Sequence, residues 1–174
     1  MQWENRSAYV QVKTSPGKAQ AIFERVKKWD HAIGAWLVDG EWDLLVWFDA
    51  TDWRQLRQWV GELRAWEGVE WTSSHWVYEG GKNESWWWAN KAGAWVWARA
   101  PGKPVGEDTV KAYPWVTSWA STPGKWDVLA WVGGDNWEQV WDRAKKLNQS
   151  GWQTDLKVPL QSWWNKGWES RWWK

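Results

Sequence analysis

Trp42 to Trp53 reads WDLLVWFDATDW, and 84 positions later Trp126 to Trp137 reads WDVLAWVGGDNW, with Trp, Asp, Leu, Trp and Trp identical in register. The chain is a diverged tandem duplication. Each copy of the segment follows a glycine-containing turn, Gly40-Glu41 or Gly124-Lys125, and precedes an amphipathic helical pattern. Such a period is too long for a solenoid repeat and has the size of a small domain. Two copies of one fold are expected, 1–82 and 83–162, joined through Gly80-Gly81-Lys82-Asn83-Glu84-Ser85 and followed by a Trp-rich tail, 163–174.

Upstream of Trp42, Ala8 to Thr14 alternates with Ala8, Val10 and Val12 on one face, the period of a strand. Ser15 and Pro16 predict a helix start, and Ala19, Ile22, Phe23 and Val26 form an apolar stripe. Ile33 to Val38 and Trp42 to Phe48 read as two strands of a hairpin turning at Asp39-Gly40-Glu41. Downstream, Asp52 with Gln55 predicts a capped helix to about Trp66, with Leu56, Trp59, Val60 and Leu63 inward; Gly68 ends it before a last strand, Val69 to Tyr78. The order is βαββαβ, a ferredoxin-like α+β unit.

The second copy follows with strands at Ala94–Arg99, Val116–Ser121, Trp126–Val132 and Trp152–Val158, and a helix from Asn136 to Leu147 with Trp137, Val140, Trp141 and Ala144 facing the sheet. Its entry turn, Pro101-Gly102-Lys103, matches Pro16-Gly17-Lys18, but Pro104 to Tyr113 is too short and polar for a full first helix. In both copies the third strand is apolar on both sides: Leu44, Val46 and Phe48 point one way, Leu45 and Trp47 the other. A sheet covered by helices on one side should alternate more cleanly. The expectation is two sheets packed face to face as a pseudo-dimer, with Leu45 and Trp47 meeting Leu129 and Trp131.

Composition limits the function classes. The net charge of +1 gives no basic excess for phosphate neutralisation, and the absence of Cys removes disulfides and thiolate metal sites. No apolar run reaches a membrane span and the start lacks the apolar core of a signal peptide, so a cytoplasmic protein is expected. The two histidines, His31 and His75, have no clustered carboxylates around them, so spacing predicts no metal site and no cofactor. No Ser-His-Asp arrangement is visible, and the chain is expected not to be an enzyme.

The Pro-Gly-Lys helix entry, the hairpin Gly40-Glu41-Trp42-Asp43-Leu44-Leu45-Val46 and the ending Glu67-Gly68-Val69-Glu70-Trp71-Thr72-Ser73-Ser74-His75 resemble the ligand-binding domain of the Lrp/AsnC (feast/famine) regulators. The likeness spans Ala8 to Glu79. It is weaker in the second copy, where Pro101-Gly102-Lys103 and Gly124-Lys125-Trp126-Asp127 carry it. The resemblance implies a small-molecule sensor, usually of amino acids, with effector contacts at the hairpin and the start of the last strand. By position these are Asp39, Gly40, Glu41, Asp43, Thr72, Ser73 and Ser74, with Gly124, Lys125 and Asp127 in the second copy. No helix-turn-helix precedes Ala8, so no DNA-reading half is expected, and Trp36, Trp42 and Trp71 are bulky enough to fill the pocket.

Each candidate has a plainer reading. Asp43 and Asp127, retained in both copies, suit a turn-stabilising role about twice as well as a ligand contact. Of the 27 Trp residues, most belong in cores; Trp86-Trp87-Trp88 and the tail Trp163, Trp164, Trp168, Trp172 and Trp173 do not fit that account. Trp164, Trp168 and Trp172 recur at i, i+4 and i+8, so a helix presents them as one ridge for its own domain, another subunit or, with least weight, a membrane surface.

The sequence thus predicts a non-enzymatic amino-acid-type binding protein that forms homo-oligomers, with Trp47, Trp131, Trp164, Trp168 and Trp172 in assembly. A self-assembling structural protein with no ligand is the second reading. The third is a haem-binding protein or cofactor-poor oxygenase with His75 as the iron ligand, because paired ferredoxin-like units also resemble the dimeric α+β barrel families.

Overall fold

The computed structural model describes residues 6–82, 91–100, 102 and 105–165. The first copy runs β1 (Arg6–Thr14), α1 (Ala19–Lys27), β2 (Ala32–Val38), β3 (Leu44–Ala50), α2 (Trp53–Arg64) and β4 (Val69–Trp76). After β5 (Glu79–Lys82), the second runs β6 (Ala92–Arg99), α3 (Glu107–Lys111), β7 (Val116–Ser121), β8 (Val128–Gly134), α4 (Trp137–Gln149) and β9 (Gln153–Lys157), and β10 (Pro159–Trp164) follows. Both copies are βαββαβ, and the first helix of the second copy is reduced to five residues.

Each antiparallel sheet gains a fifth strand from an unexpected place. The order is β10-β2-β3-β1-β4 in one sheet and β5-β7-β8-β6-β9 in the other. The segment trailing each copy thus completes the sheet of the other. The first unit accordingly holds β1 to β4 and β10, and the second holds β5 to β9, so the boundaries fall after Trp76 and Val158 in place of 82 and 162. Gly80-Gly81, expected as a linker, pairs with Ala120 and Trp119. Gly81 suits that site because a Cβ there would stand 3.0 Å from Trp119 Nε1.

The tail reading is corrected at its start. Trp163 and Trp164 lie in a strand paired with Ala35 and Gly34, so Trp164 is not part of a helical ridge. Alternation decides against the helix: Trp163 packs on the helix-covered core, while Trp164 turns to the opposite face. Its ring edges onto Trp36 at 4.9 Å and Trp47 at 5.8 Å. Gly34 makes room, since a Cβ there would meet Trp164 at 3.3 Å. Trp168, Trp172 and Trp173, the Trp86-Trp87-Trp88 cluster, Pro101 and Lys103 lie outside the described residues.

Between sheet and helices, the first core contains Ala8, Val10, Val12, Ile22, Phe23, Val26, Leu44, Val46, Phe48, Leu56 and Leu63. The predicted double-sided burial of the third strand holds, with Leu45 2% and Trp47 4% exposed. Asp52 Oδ1 accepts from Gln55 N at 2.9 Å, and Asn136 Oδ1 accepts from Gln139 N at 2.9 Å, so both copies start their second helix with the same device. Two helix expectations fail. Ser15 does not cap α1: its carbonyl closes a turn on Lys18 N, and the helix begins after Lys18 without a side-chain cap. On α4 the buried side is Val140, Ala144 and Leu147, whereas Trp137 and Trp141 are exposed. The apolar stripe of α4 is narrower than expected, and the two indoles lie beside it on the solvent side.

Candidate binding site

The hairpin aspartates have the same structural task in both copies. Asp43 Oδ2 accepts from Thr14 N at 2.8 Å and from Thr14 Oγ1 at 3.1 Å, and lies 3.5 Å from Lys13 Nζ. Asp127 Oδ2 accepts from Ala100 N at 3.0 Å. Their main chains are also fixed, Asp43 N donating to Val12 O and Asp127 N to Ala98 O, each at 3.0 Å. These carboxylates tie the hairpin to the exit of the first strand, where the chain turns through Gly17 (φ 77°) or Gly102 (φ 74°).

The other residues expected at an effector site do not converge. Asp39, Gly40 and Glu41 are exposed at the hairpin tip. Thr72 and Ser74 share the helix-side face of β4 with residues opposite Val12 and Val10, while Ser73, opposite Gln11, faces the other way. In the second copy Gly124 and Lys125 are exposed, and Lys125 Nζ lies 5.9 Å from the Trp126 ring. Nor does a single Trp plug fill the space. Trp36 is buried against Trp164, but Trp71 is 64% exposed.

What β1 and β4 do assemble is a two-column patch on the sheet face turned away from the helices. Tyr9 stands across from His75, Gln11 across from Ser73, and Lys13 across from Trp71. His75 Nε2 lies 3.1 Å from Gln11 Oε1 and 3.2 Å from Ser73 Oγ. A carbonyl oxygen only accepts, so in this arrangement Nε2 carries the hydrogen. Tyr9 stacks on Trp47 with ring centroids 5.7 Å apart. Burial pushes the Tyr9 phenol well above its usual range, and the Asp49 carboxylate adds to the shift. The patch therefore runs from a buried phenol through the Gln11, His75 and Ser73 hydrogen bonds to the exposed Trp71 indole, across from Lys13.

The matching positions of the second unit hold other residues, with Arg99 and Gln153 in the places of Lys13 and Trp71. Trp95 and Trp97 occupy the positions matching Tyr9 and Gln11, and Lys157 and Asp155 stand across from them. Lys157 Nζ pairs with Asp155 at 3.2 Å and is buried. Where the first unit has Tyr9, Gln11, Ser73 and His75, the second has two indoles and an ion pair. Among the described residues no three His, Cys, Asp or Glu side chains gather to hold a metal ion.

Sequence reading missed Tyr9, Gln11, Lys13 and His75 as one group. Their signal was the polar face of β1, which only the β1–β4 register joins to Trp71, Ser73 and His75.

The profile of the Lrp/AsnC ligand binding domain matches residues 7–87. In these residues the chain is similar to that domain, and the matched stretch contains both columns of the patch. No curated protein matches the chain. Among solved structures, the siroheme decarboxylase NirDL in complex with an iron-uroporphyrin III analogue is similar over 90% of this chain and 71% of that chain, with a TM-score of 0.63 and 10% identity. A mutant chlorite dismutase from Candidatus Nitrospira defluvii, in complex with cyanide, covers 91% of this chain and 92% of its own, with a TM-score of 0.54 and 8% identity. A novel heme-binding protein from Thermus thermophilus covers 92% and 93%, with a TM-score of 0.52 and 11% identity. The chain shares its fold with these proteins. The expectation of a non-enzymatic chain is corrected on this finding, because a decarboxylase and a dismutase are built on that fold. Among the described residues no helix is long and apolar enough to cross a membrane.

Proposed function

We propose that the first unit binds a small organic molecule on the β1–β4 patch, with a flat part stacked on Trp71 and a polar or anionic part held by Lys13, Ser73 and His75. One observation carries this reading: an indole exposed by 64% stands on the strand position across from Lys13, whose Nζ lies 3.5 Å from Asp43, with Ser73 and His75 next along the same face. Binding sites combine apolar walls with a few placed polar groups, and this patch has both. The Lrp/AsnC match over residues 7–87 supports a small-molecule role, and Ser73 is the residue common to this patch and to the family's effector positions. Amino acids, including tryptophan, and aromatic carboxylates are the first ligands to test. Calorimetric titration is expected to find a binder whose affinity falls about tenfold in Trp71→Ala, since loss of one stacked aromatic contact is worth roughly 1.4 kcal/mol. Absence of binding across the series would remove the sensor function.

A second reading is a haem or related tetrapyrrole, favoured by the half-buried His75 on this face and by the tetrapyrrole-type ligands of the fold neighbours. As it stands His75 does not fit an iron ligand, because its Nε2 is engaged by Gln11 and Ser73. Iron ligation through that atom needs both contacts to break. Haem addition tests it: a Soret band that disappears in His75→Ala supports haem binding, and a colourless protein sinks it.

A further inference from the structure

Sheet edges present unpaired N–H and C=O groups, and folded proteins shorten, charge or kink them to prevent pairing. Three edges here follow that rule. β5 has four residues. β9 has five and carries the Lys157–Asp155 pair. β10 opens with Pro159 and has an irregular register between Pro159 and Gln161. β4 follows it only at its first residues, through Glu70 and the register shift between Val69 and Trp71. Its eight residues, VEWTSSHW, contain neither Lys, Arg nor Pro, and among the described residues no strand lies along its outer side. Its register with β1 is regular from Trp71 to Trp76. Both of its faces also carry exposed indole: Trp71 on the patch side, and Trp76 on the helix side, edge-on to Trp53 at 5.3 Å.

We propose that β4 pairs antiparallel with β4 of a second copy of this chain, joining two five-stranded sheets into one. The strand is complementary to itself. Directly opposed residues in an antiparallel pair share a face, so a two-fold axis through Ser73 sets Trp71 against the partner's His75 and Thr72 against the partner's Ser74. Aromatic pairs and hydroxyl pairs of this kind stabilise adjacent strands. Glu70, the one carboxylate of the strand, meets the partner's Trp76, so no like charges oppose each other. The exposed Trp residues at the rim fit an interface, where indole is enriched. The new strand pair extends the sheet sideways and leaves the Trp71–Ser73–His75 face open, so the pairing does not depend on the binding reading.

Sedimentation of the full chain tests the pairing. The wild type is expected to be a dimer that dissociates on dilution. Trp71→Lys with His75→Lys sets lysines opposite each other and is expected to raise the dissociation constant at least about tenfold. Trp71→Lys with His75→Glu restores opposite charges at the same positions and is expected to recover dimer in a salt-sensitive manner. A wild type monomeric at every concentration, or two variants with the same association state, would overturn the proposal. Amide exchange on the unmodified chain provides a check free of folding effects: protection that rises with concentration only along β4 supports the pairing, and protection there that ignores concentration counts against it.

Discussion

Asp43 holds a backbone N–H, a hydroxyl and an ammonium group at once, whereas Asp127 holds the one N–H of Ala100. A part-buried N–H left without its acceptor costs about 1–3 kcal/mol. Asp43→Ala is therefore expected to lose stability in that range in urea unfolding followed by circular dichroism, and Asp127→Ala to lose less. An unchanged midpoint in Asp43→Ala would show that water replaces the carboxylate without loss. Tyr9 sets an alkaline limit. Its phenol is raised above the ordinary value of 10.0 by burial and then by Asp49. The unfolded chain therefore gives up this proton first as pH rises past about 10, and the stabilisation present below that pH is lost progressively, by about 1.4 kcal/mol per pH unit. Tyr9→Phe is expected to flatten the fall between pH 10 and 11; an equal slope in both proteins would assign it to other groups. The aspartates were visible in the sequence as a repeated position. Their task was less so, because Thr14 and Ala100, the groups they hold, lie 29 and 27 residues away along the chain. For the same reason the Gln11–His75 contact, 64 residues apart, could not be read from local spacing.

Elements were legible where local chemistry decides them. Asp52 with Gln55 and Asn136 with Gln139 announce two helix starts because a cap and its partner lie within one turn. The two-sided burial of β3 was legible because its alternation has no polar face. β10 was not, since Trp163-Trp164 satisfies a helical period and a strand alternation equally well in so short a segment. Only the open edge of β2 and the absence of a side chain at Gly34 choose the strand. Trp164 should then be a stabilising residue of the first unit. Trp164→Ala is expected to cost about 2–3 kcal/mol, a half-buried share of a large-to-small core substitution, read as a lower urea midpoint. A cost within about 0.5 kcal/mol, the usual range of surface substitutions, would mean that β10 adds little to the sheet it borders.

At the scale of the molecule, duplication has given two similar frames with unlike faces. The frame was legible because Trp42 to Trp53 and Trp126 to Trp137 repeat in register; the exchange of fifth strands was not, because pairing partners of β5 and β10 are far away in sequence. The first unit has a hydrogen-bonding patch beside an exposed indole where the second has Trp95, Trp97 and the Lys157–Asp155 pair. One site per chain follows from that asymmetry. The most direct measurement is the calorimetric stoichiometry of a ligand found by the screen, titrated into the wild type and into Trp71→Ala with Ser73→Ala. The account predicts one ligand per chain, with binding abolished or weakened at least about tenfold in the variant. Two ligands per chain, or unchanged binding in the variant, would contradict it.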